Sequence, residues 1–425
     1  MAELGPSPLA SGNELPVDDA RAAMLRVLRP VDGTETLPLE QALGRVLAAD
    51  VVSPIAVPAH DNSAMDGYAL HGADLLADAP TVLQAAGPTV FAGAPYTAAV
   101  PRGGCVRIMT GAVMPPGLDT VVPIELCTVD GAQVTLKPGV LKSGENRRKR
   151  GEDLAEGGVA LAAGRVLRPA DLGLIASLGL PTATVRRRLK VALFPTGDEL
   201  RNAGEPLGPG QIYDSNRYSL LGALQRLGVE VLDLGLVPDD PPRLRATIDR
   251  AIAEADAVIT SGGVSMGDAD YTRDLLAARG EVAFWKVAMR PGRPFAFGPL
   301  HGDGGKTAFL FALPGNPVAA LVTFYAFARE GLLVLAGAMD VLPMRMAARS
   351  AVAIRKRPGR TEYQRAIVSR SPGEGGGWEV RTTGSQGAGI LRSMTEANAL
   401  LVLRHDQGSV AAGDDVEVWL FDGLT

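Results

Sequence analysis

Apolar residues near the start of the chain recur at the three- and four-residue spacing of an amphipathic helix. One set runs from Val17 to Leu28 and a second from Leu39 to Leu47, so the pattern predicts two helices. Further along, RPADLGLIASLG repeats the spacing and is entered by Pro169, a residue that suits the first turn of a helix. We therefore predict a discontinuous helical domain made of residues 15–50 and 146–185.

Two other stretches consist of short apolar runs broken by glycine and proline, which is typical of β-strands. In residues 51–145, the runs VVPIELCTV and AQVTL are separated by Asp130-Gly131, a strong hairpin sequence. Residues 344–425 contain YQRAIVS, WEVRTT, ALLVLR and DVEVWLF, separated by turns such as GEGGG. The first stretch is predicted to be a β-rich domain and the second a C-terminal antiparallel β-barrel.

Residues 186–340 alternate between strand and helix patterns. Strand-like runs lie at Val191–Phe194, Val229–Leu236, Ala257–Thr260 and Phe309–Leu313, with helical patterns such as PPRLRATIDRAIAEA between them. This alternation predicts a doubly wound α/β domain with a parallel sheet. The whole chain is thus predicted to be a multidomain α/β plus β protein, and ligands of the α/β domain are expected at the carboxyl ends of its strands.

Composition and charge disfavour several classes of binding partner. The 425 residues carry a net charge of −5 and only 5% aromatic residues, which disfavours nucleic-acid and anionic-membrane partners. Two cysteines, Cys105 and Cys127, fit a reducing compartment, and four scattered histidines give zinc few ligands. The N-terminus lacks a signal-peptide pattern, and no run of 18 uncharged apolar residues occurs. We expect a cytoplasmic protein with small-molecule substrates.

The first candidate binding loop follows the strand AVIT. Ser261-Gly262-Gly263 would let backbone amides approach an anion, although the same residues could form only a tight strand-to-helix turn. Asp268 and Asp270 follow in the sequence. Carboxylates near phosphate oxygens are what Mg²⁺ prefers, and this favours the binding interpretation.

A second loop, Pro314-Gly315-Asn316-Pro317, follows a strand and precedes a helical pattern, so it could present a helix N-terminus to an anion. Between the two loops lie Lys286, Arg290 and Arg293. Three cations on a loop are usually a solvated surface, but beside two glycine loops in an acidic protein they favour an oxyanion site.

Carboxylates also follow other strands, at Glu199 and at Asp239. Asp239 could simply cap the helix that begins near Pro241; beside cations and glycine loops, however, carboxylates suit metal-assisted phosphoryl chemistry. The run HGDGGKT has Leu300 where a phosphate loop needs glycine, and GGVSMG has Val264 where a dinucleotide fingerprint needs glycine. The segment around Asp61, PAHDNSAMDGYAL, is by itself an ordinary polar loop.

Seven motifs in order resemble one family, the molybdopterin molybdenumtransferases, which include bacterial MoeA and the gephyrin E-domain. The resemblance covers about residues 15 to 425, and the motifs are DNSAMDGYA, RIMTGA, PTGDEL, DSN, TSGGVSMGDADYT, FWKVAMRPGRP and LPGNPV. It implies a four-domain homodimer whose α/β domain is MogA-like and binds molybdopterin. It also implies the last step of molybdenum cofactor biosynthesis: molybdate is inserted into adenylated molybdopterin with Mg²⁺-dependent release of AMP, downstream of a molybdopterin adenylyltransferase.

The resemblance also assigns roles to residues. It implies Asp270, Glu199, Asp239 and Lys286 as catalytic, with Asp270 and Glu199 at the metal. Substrate-binding residues, including those of the two loops, are expected to be Asp61, Thr110, Ser261, Gly262, Gly263, Ser265, Arg290, Arg293, Pro314, Gly315, Asn316, Pro317 and Arg365. Asp61 and Thr110 match positions that the partner subunit contributes to the cleft.

This chain departs from the family pattern at two positions. Arg290 stands where relatives often have lysine, so a planar fork replaces a compact donor. Ala319 stands where some have serine, which removes a hydroxyl.

Two alternatives remain beside this enzyme. One is a scaffold that keeps the fold without turnover, and the other is a nucleotide-dependent kinase on the same sheet.

Overall fold

The structure is a computed structural model of the chain, and it describes residues 14–263, 275–276, 278–371 and 376–423. Ser265, Asp268 and Asp270 lie outside the described residues. The chain begins with helix α1 (Val17–Val27), which has Asp18 and Asp19 in its first turn and Arg26 in its last. These charges complement the helix dipole. The apolar face of α1 packs into the core of the α/β region described below.

The second predicted helix, over residues 39–47, is wrong. The structure has a single 3₁₀ turn, Leu39–Gln41, and then an extended segment in which Val46 and Leu47 form bridges to Val166 and Val185. Gly44 has a φ of +72°, which ends any helix there. The apolar spacing arises because Ala42 and Leu47 both reach one small core, although no continuous helix connects them.

The β-rich region contains a six-stranded sheet. The strands from the start of the chain through this region are β1 (Thr34–Pro38), β2 (Val51–Val52), β3 (Asn62–Ser63), β4 (Gly67–Leu70), β5 (Thr81–Ala85), β6 (Gly104–Ile108), β7 (Thr120–Pro123), β8 (Cys127–Asp130), β9 (Gln133–Leu136) and β10 (Arg147–Arg148). The six-stranded sheet has the order β7-β4-β6-β5-β9-β8. The predicted hairpin is confirmed, since Asp130 pairs with Gln133 across a turn in which Gly131 has a φ of +58°.

The chain then returns to its first segment. It forms β11 (Val159–Leu161), helix α2 (Pro169–Ser177) and β12 (Thr182–Arg186). Strand β12 pairs with β1, and β11 pairs with β2. Helix α2 has Pro169 in its first turn, as predicted, and Asp171 accepts a 2.8 Å hydrogen bond from the Arg168 backbone N–H. Side chains from both segments, including Leu47, Ile175 and Val185, share one core.

The α/β region is built on a second six-stranded sheet. Its elements are β13 (Lys190–Pro195), β14 (Leu200–Arg201), β15 (Ile212–Tyr213), α3 (Asn216–Arg226), β16 (Glu230–Asp233), α4 (Pro241–Glu254), β17 (Ala257–Ser261), β18 (Ala283–Lys286), β19 (Met289–Arg290), β20 (Pro294–His301), β21 (Thr307–Leu313), α5 (Pro317–Thr323), a π-helical turn (Phe324–Ala328) and α6 (Arg329–Leu335). In the order β16-β13-β17-β21-β20-β18 the first four strands are parallel, β20 pairs antiparallel with β21, and β18 pairs antiparallel with β20.

Both faces of this sheet are covered, as the doubly wound prediction requires. Neighbouring residues of a strand point to opposite faces. Leu193 therefore belongs to the core shared with α1, α3 and α5, whereas Ala192 and Phe194 face the core shared with α4. The segment 317–335 is long and apolar enough to span a membrane, but 83% of its apolar window is buried inside the fold.

The C-terminal part is a closed barrel. Its strands and helix are β22 (Arg345–Ser350), β23 (Thr361–Arg370), β24 (Trp378–Thr382), α7 (Arg392–Glu396), β25 (Ala399–Leu403) and β26 (Asp415–Leu420). Pairings run β23-β24-β22-β26-β25 and close through β25 and β23. The predicted barrel is confirmed, but its strands are not all antiparallel as expected, because β22 pairs with β24 in parallel. Strand β19 of the α/β region pairs with β23, so the barrel is attached to the α/β region by backbone hydrogen bonds.

Candidate active site

Three neighbouring parallel strands end in register at one edge of the α/β sheet. Pro195 pairs with Ser261, and Ser261 pairs with Leu313. The loop that follows each strand therefore starts at the same level. The Thr196 N–H donates to the Ser261 carbonyl at 3.0 Å, and the Gly262 N–H donates to the Leu313 carbonyl at 3.2 Å. The predicted glycine loops are thus tied to each other at their bases.

Asn216, the first residue of α3, connects these loops. Its Nδ2 donates to Ser261 Oγ at 3.1 Å and to the Gly315 carbonyl at 2.7 Å. Gly262 has a φ of +91°, and a Cβ there would lie 2.5 Å from the Thr196 carbonyl oxygen. This position therefore requires glycine. Asn216 has no role in the sequence prediction, although DSN was among the motifs that carry the resemblance.

The loops line a cleft of about 1180 Å³ between the α/β sheet and the barrel. Most predicted site residues meet there: Glu199, Asp239, Ser261, Gly262, Gly263, Arg290, Arg293, Pro314, Gly315, Asn316 and Pro317. The barrel adds Arg360 and the segment 386–389. Sequence reasoning missed these barrel residues, since β-barrel turns and a strand-leading arginine carry no local sign of a binding role.

One wall of the cleft is acidic. Asp239 is exposed and lines the cleft, and its backbone N–H donates to Asp198 Oδ1 at 3.1 Å. Partial burial, together with the charges of Asp198 and Glu199, raises the pKa of Asp239. The residue that caps α4 is Asp240, whose carboxylate accepts from the Arg243 N–H at 3.2 Å. Asp239 therefore does not serve as the helix cap.

The opposite wall is basic. Arg290 lies on the short strand β19, and Arg293 lies just before β20, so this segment is held between the sheet and the barrel rather than forming a free loop. Arg293 and Arg360 are half exposed and both form ion pairs with Glu14. The same cleft is therefore lined by carboxylates and by guanidinium groups, a combination that suits an anionic ligand accompanied by a cation.

Arg365 lies behind this wall. Its side chain is 1% exposed, and it donates to Ser393 Oγ at 3.0 Å and to the Gly387 carbonyl at 3.2 Å. Burial and the nearby charge of Arg290 lower the pKa of Arg365 to about 10. Arg365 is thus a buried cation whose side-chain hydrogen bonds, among the described residues, go to neutral groups.

Three other predicted residues are not among the described residues that line the cleft. Lys286 ends strand β18, and its carbonyl accepts from the Leu15 N–H at 2.8 Å. Asp61 and Thr110 belong to the β-rich region. The segments that carry them lie side by side, because the Gly111 N–H donates to the Ser63 carbonyl and the Met114 N–H donates to the Asp61 carbonyl. Thr110 also bonds to Asp66 through its hydroxyl at 2.7 Å.

The fold and cleft define a multidomain α/β plus β protein with a cleft of glycine loops, carboxylates and arginines at the carboxyl edge of its parallel strands. Three family models match the chain: MoeA N-terminal region (domain I and II) over residues 15–179, probable molybdopterin binding domain over 192–333, and MoeA C-terminal region (domain IV) over 347–421. The chain belongs to the MoeA family of molybdopterin molybdenumtransferases, and the predicted family and fold class are confirmed.

Individual relatives cover nearly the full chain. The molybdopterin molybdenumtransferase of Haemophilus influenzae is 41% identical over 411 residues, which are 96% of this chain and 99% of that protein. Molybdopterin molybdenumtransferase 2 of Mycobacterium tuberculosis is 37% identical over 406 residues, 94% of this chain and 96% of that protein. The crystal structure of the molybdopterin biosynthesis MoeA protein from Pyrococcus horikoshii OT3 is similar with a TM-score of 0.79 at 26% identity, covering 96% of this chain and 100% of that one.

Proposed function

We propose that the cleft catalyses the molybdopterin molybdenumtransferase reaction of molybdenum cofactor biosynthesis, in which adenylated molybdopterin is cleaved, AMP is released and molybdate is inserted. The observation that carries this proposal is the meeting of Glu199, Asp239, Arg290 and Arg293 with two glycine loops around one cavity. A phosphate-bearing substrate needs such backbone donors and cations. The family's activity supplies the identity of the substrate.

Residues of the cleft divide the work of cleavage. The Gly263 backbone amide binds the phosphates, and Arg290 and Arg293 offset their charge. The Gly262 N–H already donates to the Leu313 carbonyl, so Gly262 contributes by letting the loop pass close to the ligand. Water attacks one phosphorus of the phosphoanhydride, the bridging P–O bond breaks, and AMP leaves. We assign the proton of that water to the Asp239 carboxylate, since the raised pKa of Asp239 favours holding it.

The charge of Mg²⁺ suits the acidic wall. Asp198 and Glu199 raise the pKa of Asp239 because neighbouring carboxylates repel one another, and a cation would relieve that repulsion. The described residues include no group of three or more His, Cys, Asp or Glu that could hold a metal. Mg²⁺ usually takes one or two carboxylates and completes its shell with water and phosphate. We propose Glu199 and Asp270 as its ligands. When bound, the ion would offset phosphate charge.

Arg365 supports a place for molybdate. A buried cation with neutral hydrogen-bond partners favours a dianion nearby. Gly387, which Arg365 holds, lines the cleft, so the cation lies directly behind the wall. We propose that Arg365 and Arg290 together attract molybdate to this end of the cleft.

We further propose a homodimer, which would allow Asp61 and Thr110 of one subunit to complete the cleft of the other. The backbone hydrogen bonds that hold the segments of these two residues side by side support that role. A molybdopterin adenylyltransferase would supply the substrate. Both cysteines are free, in agreement with a proposed cytoplasmic location.

The test incubates the protein with adenylated molybdopterin, Mg²⁺ and molybdate and measures AMP by chromatography. AMP release well above a protein-free blank is expected, and none above it would favour the scaffold alternative. Turnover of ATP with Mg²⁺ in place of adenylated molybdopterin would favour the kinase alternative. Asp270→Asn is expected to lower AMP release far more than pterin binding, because its charge acts on the metal and on cleavage.

A further inference from the structure

Glu14 joins two arginines of the cleft that come from distant parts of the sequence. Its carboxylate accepts two 2.8 Å hydrogen bonds from Arg360, one from Nε and one from an Nη. The same carboxylate forms an ion pair with Arg293. Arg360 precedes the barrel strand β23 and Arg293 precedes strand β20, and both arginines line the cleft. Glu14 therefore links the barrel to the α/β region at the basic wall of the cleft.

The backbone fixes the position of Glu14. The Leu15 N–H donates to the Lys286 carbonyl at 2.8 Å, and the Ala288 N–H donates to the Leu15 carbonyl at 2.7 Å. The Thr361 N–H in turn donates to the Ala288 carbonyl at 2.9 Å. Three segments thus lie side by side, around Leu15, Ala288 and Thr361. Glu14 directly precedes the first and Arg360 directly precedes the third. These bonds fix the backbone next to Glu14, so its side chain starts from a point close to both arginines.

The exposure of the three side chains differs in a way that matters for binding. The Glu14 side chain is only 17% exposed, whereas those of Arg293 and Arg360 are 50% and 46% exposed. Burial alone would raise the pKa of Glu14, but Arg360 and Arg293 bring it below its ordinary value. At neutral pH the group has one negative and two positive charges. Its net charge is therefore positive, and both arginines are half exposed and line the cleft.

We infer that Glu14 is a positioning residue that holds Arg293 and Arg360 as a pair, and that Arg360 binds an oxyanion of the substrate together with Arg293. The inference rests on the proposed function, because it takes the cleft ligand to be anionic. A free arginine loses much side-chain entropy when it binds a ligand. Arginines already held by Glu14 have lost that side-chain entropy before the ligand arrives. They therefore bind a tetrahedral phosphate or molybdate more tightly than unrestrained arginines would.

The experiment measures binding of AMP and of molybdate, each alone, by isothermal titration calorimetry with the full chain. Arg360→Gln is expected to bind one of these anions about tenfold more weakly, as the loss of a charge-assisted hydrogen bond implies. Arg360→Lys keeps the charge but loses the planar fork, so it should fall between wild type and Arg360→Gln. The anion whose affinity drops identifies which oxyanion the pair holds.

Glu14→Gln distinguishes positioning from simple neutralisation. Positioning predicts about threefold or greater loss of affinity, although the variant makes the cleft more positive. Neutralisation alone predicts tighter binding, and that result would overturn the inference. Glu254→Gln is the matched control, since it removes an exposed 2.9 Å pair with Arg250 on α4, and it should bind both anions like wild type.

Failure of the inference can be separated from failure of the proposed function. If wild type binds AMP or molybdate and the Arg360 variants bind it equally well, the paired arginines are refuted while the proposed function stands. If wild type binds neither anion and releases no AMP from adenylated molybdopterin, both fail. Should Glu14→Gln not fold, the graded Arg360→Lys and Arg360→Gln series still decides whether Arg360 binds the anion.

Discussion

Asp239 and Arg365 are charged side chains whose surroundings do not match their charge. Asp239 lies near two other carboxylates, and Arg365 is buried among neutral partners close to Arg290. In the ligand-free protein the charged form of each side chain is disfavoured, so each charge lowers the stability of the fold. Such places are typical of binding sites, because the ligand supplies the missing opposite charge.

Asp239→Asn should stabilise the free protein at neutral pH while lowering AMP release. The pKa of Asp239 is raised in the folded state, so ionisation costs stability, and this cost appears as pH rises through the folded pKa. After solvent screening, we expect a gain of about 0.5 kcal/mol at pH 7. The gain should vanish near pH 3, where the carboxyl group is protonated in both states. Urea unfolding at the two pH values measures it, and an equal difference at both would contradict the assigned cause.

Arg365→Met should impair molybdate use more than folding. The substitution removes a buried cation without leaving a large cavity, so we expect the unfolding free energy to change by no more than about 1 kcal/mol. The molybdate concentration that gives half-maximal activity should rise at least about tenfold. A titration of activity against molybdate measures this effect, and an unchanged molybdate dependence would show that Arg365 supports the barrel alone.

Among the elements, the loops at the strand ends depend most closely on single residues. The in-register ends of β13, β17 and β21 place three loops at one level, and Asn216 connects two of them. The glycine in the central loop allows the chain to pass close to the Thr196 carbonyl. Site geometry is therefore built into the backbone before any ligand binds.

Gly262→Ala should destabilise the protein by about 2 kcal/mol and weaken AMP binding, because it adds a Cβ at positive φ against a backbone oxygen. Gly222→Ala is the matched control. Gly222 lies in α3, where a Cβ would meet nothing within 4 Å, so alanine should stabilise by about 0.5 to 1 kcal/mol. Thermal melting and calorimetry with AMP test both variants, and a Gly262→Ala protein with unchanged melting and binding would refute the close approach.

At the scale of the whole molecule, two predicted site residues lie in different regions of the chain, and this bears on how subunits assemble. Glu199 lines the cleft, whereas Asp61 lies in the β-rich region, outside the described lining. In the proposed homodimer, the two residues would meet in one cleft from different subunits.

Mixing two inactive variants should therefore restore activity. We expect Asp61→Asn and Glu199→Gln each to release little AMP alone. After mixing, denaturation and refolding, heterodimers would contain one cleft with both natural residues, so about a quarter of wild-type AMP release should return for random pairing of subunits. Light scattering would establish the dimer. No recovery in a mixture of proven heterodimers would contradict the shared cleft.

Sequence patterns predicted the parallel strands, their helices and the glycine loops well, because these depend on local periodicity and on backbone conformations that few residues adopt. The helix expected over 39–47 failed because tertiary bridges of Val46 and Leu47 override the apolar spacing. The predicted roles of Lys286 and Arg365 remain predictions, and the structure adds that Arg365 is buried.

The sequence by itself determined the family, the fold class and which strand-end loops carry glycine, carboxylate and arginine, since those properties are local in the chain. Tertiary structure alone decided that Arg360 and the segment 386–389 of the barrel line the cleft, and that Glu14 pairs with arginines almost 280 and 350 positions away. Such contacts depend on how the barrel packs against the sheet, and no short-range pattern encodes that packing.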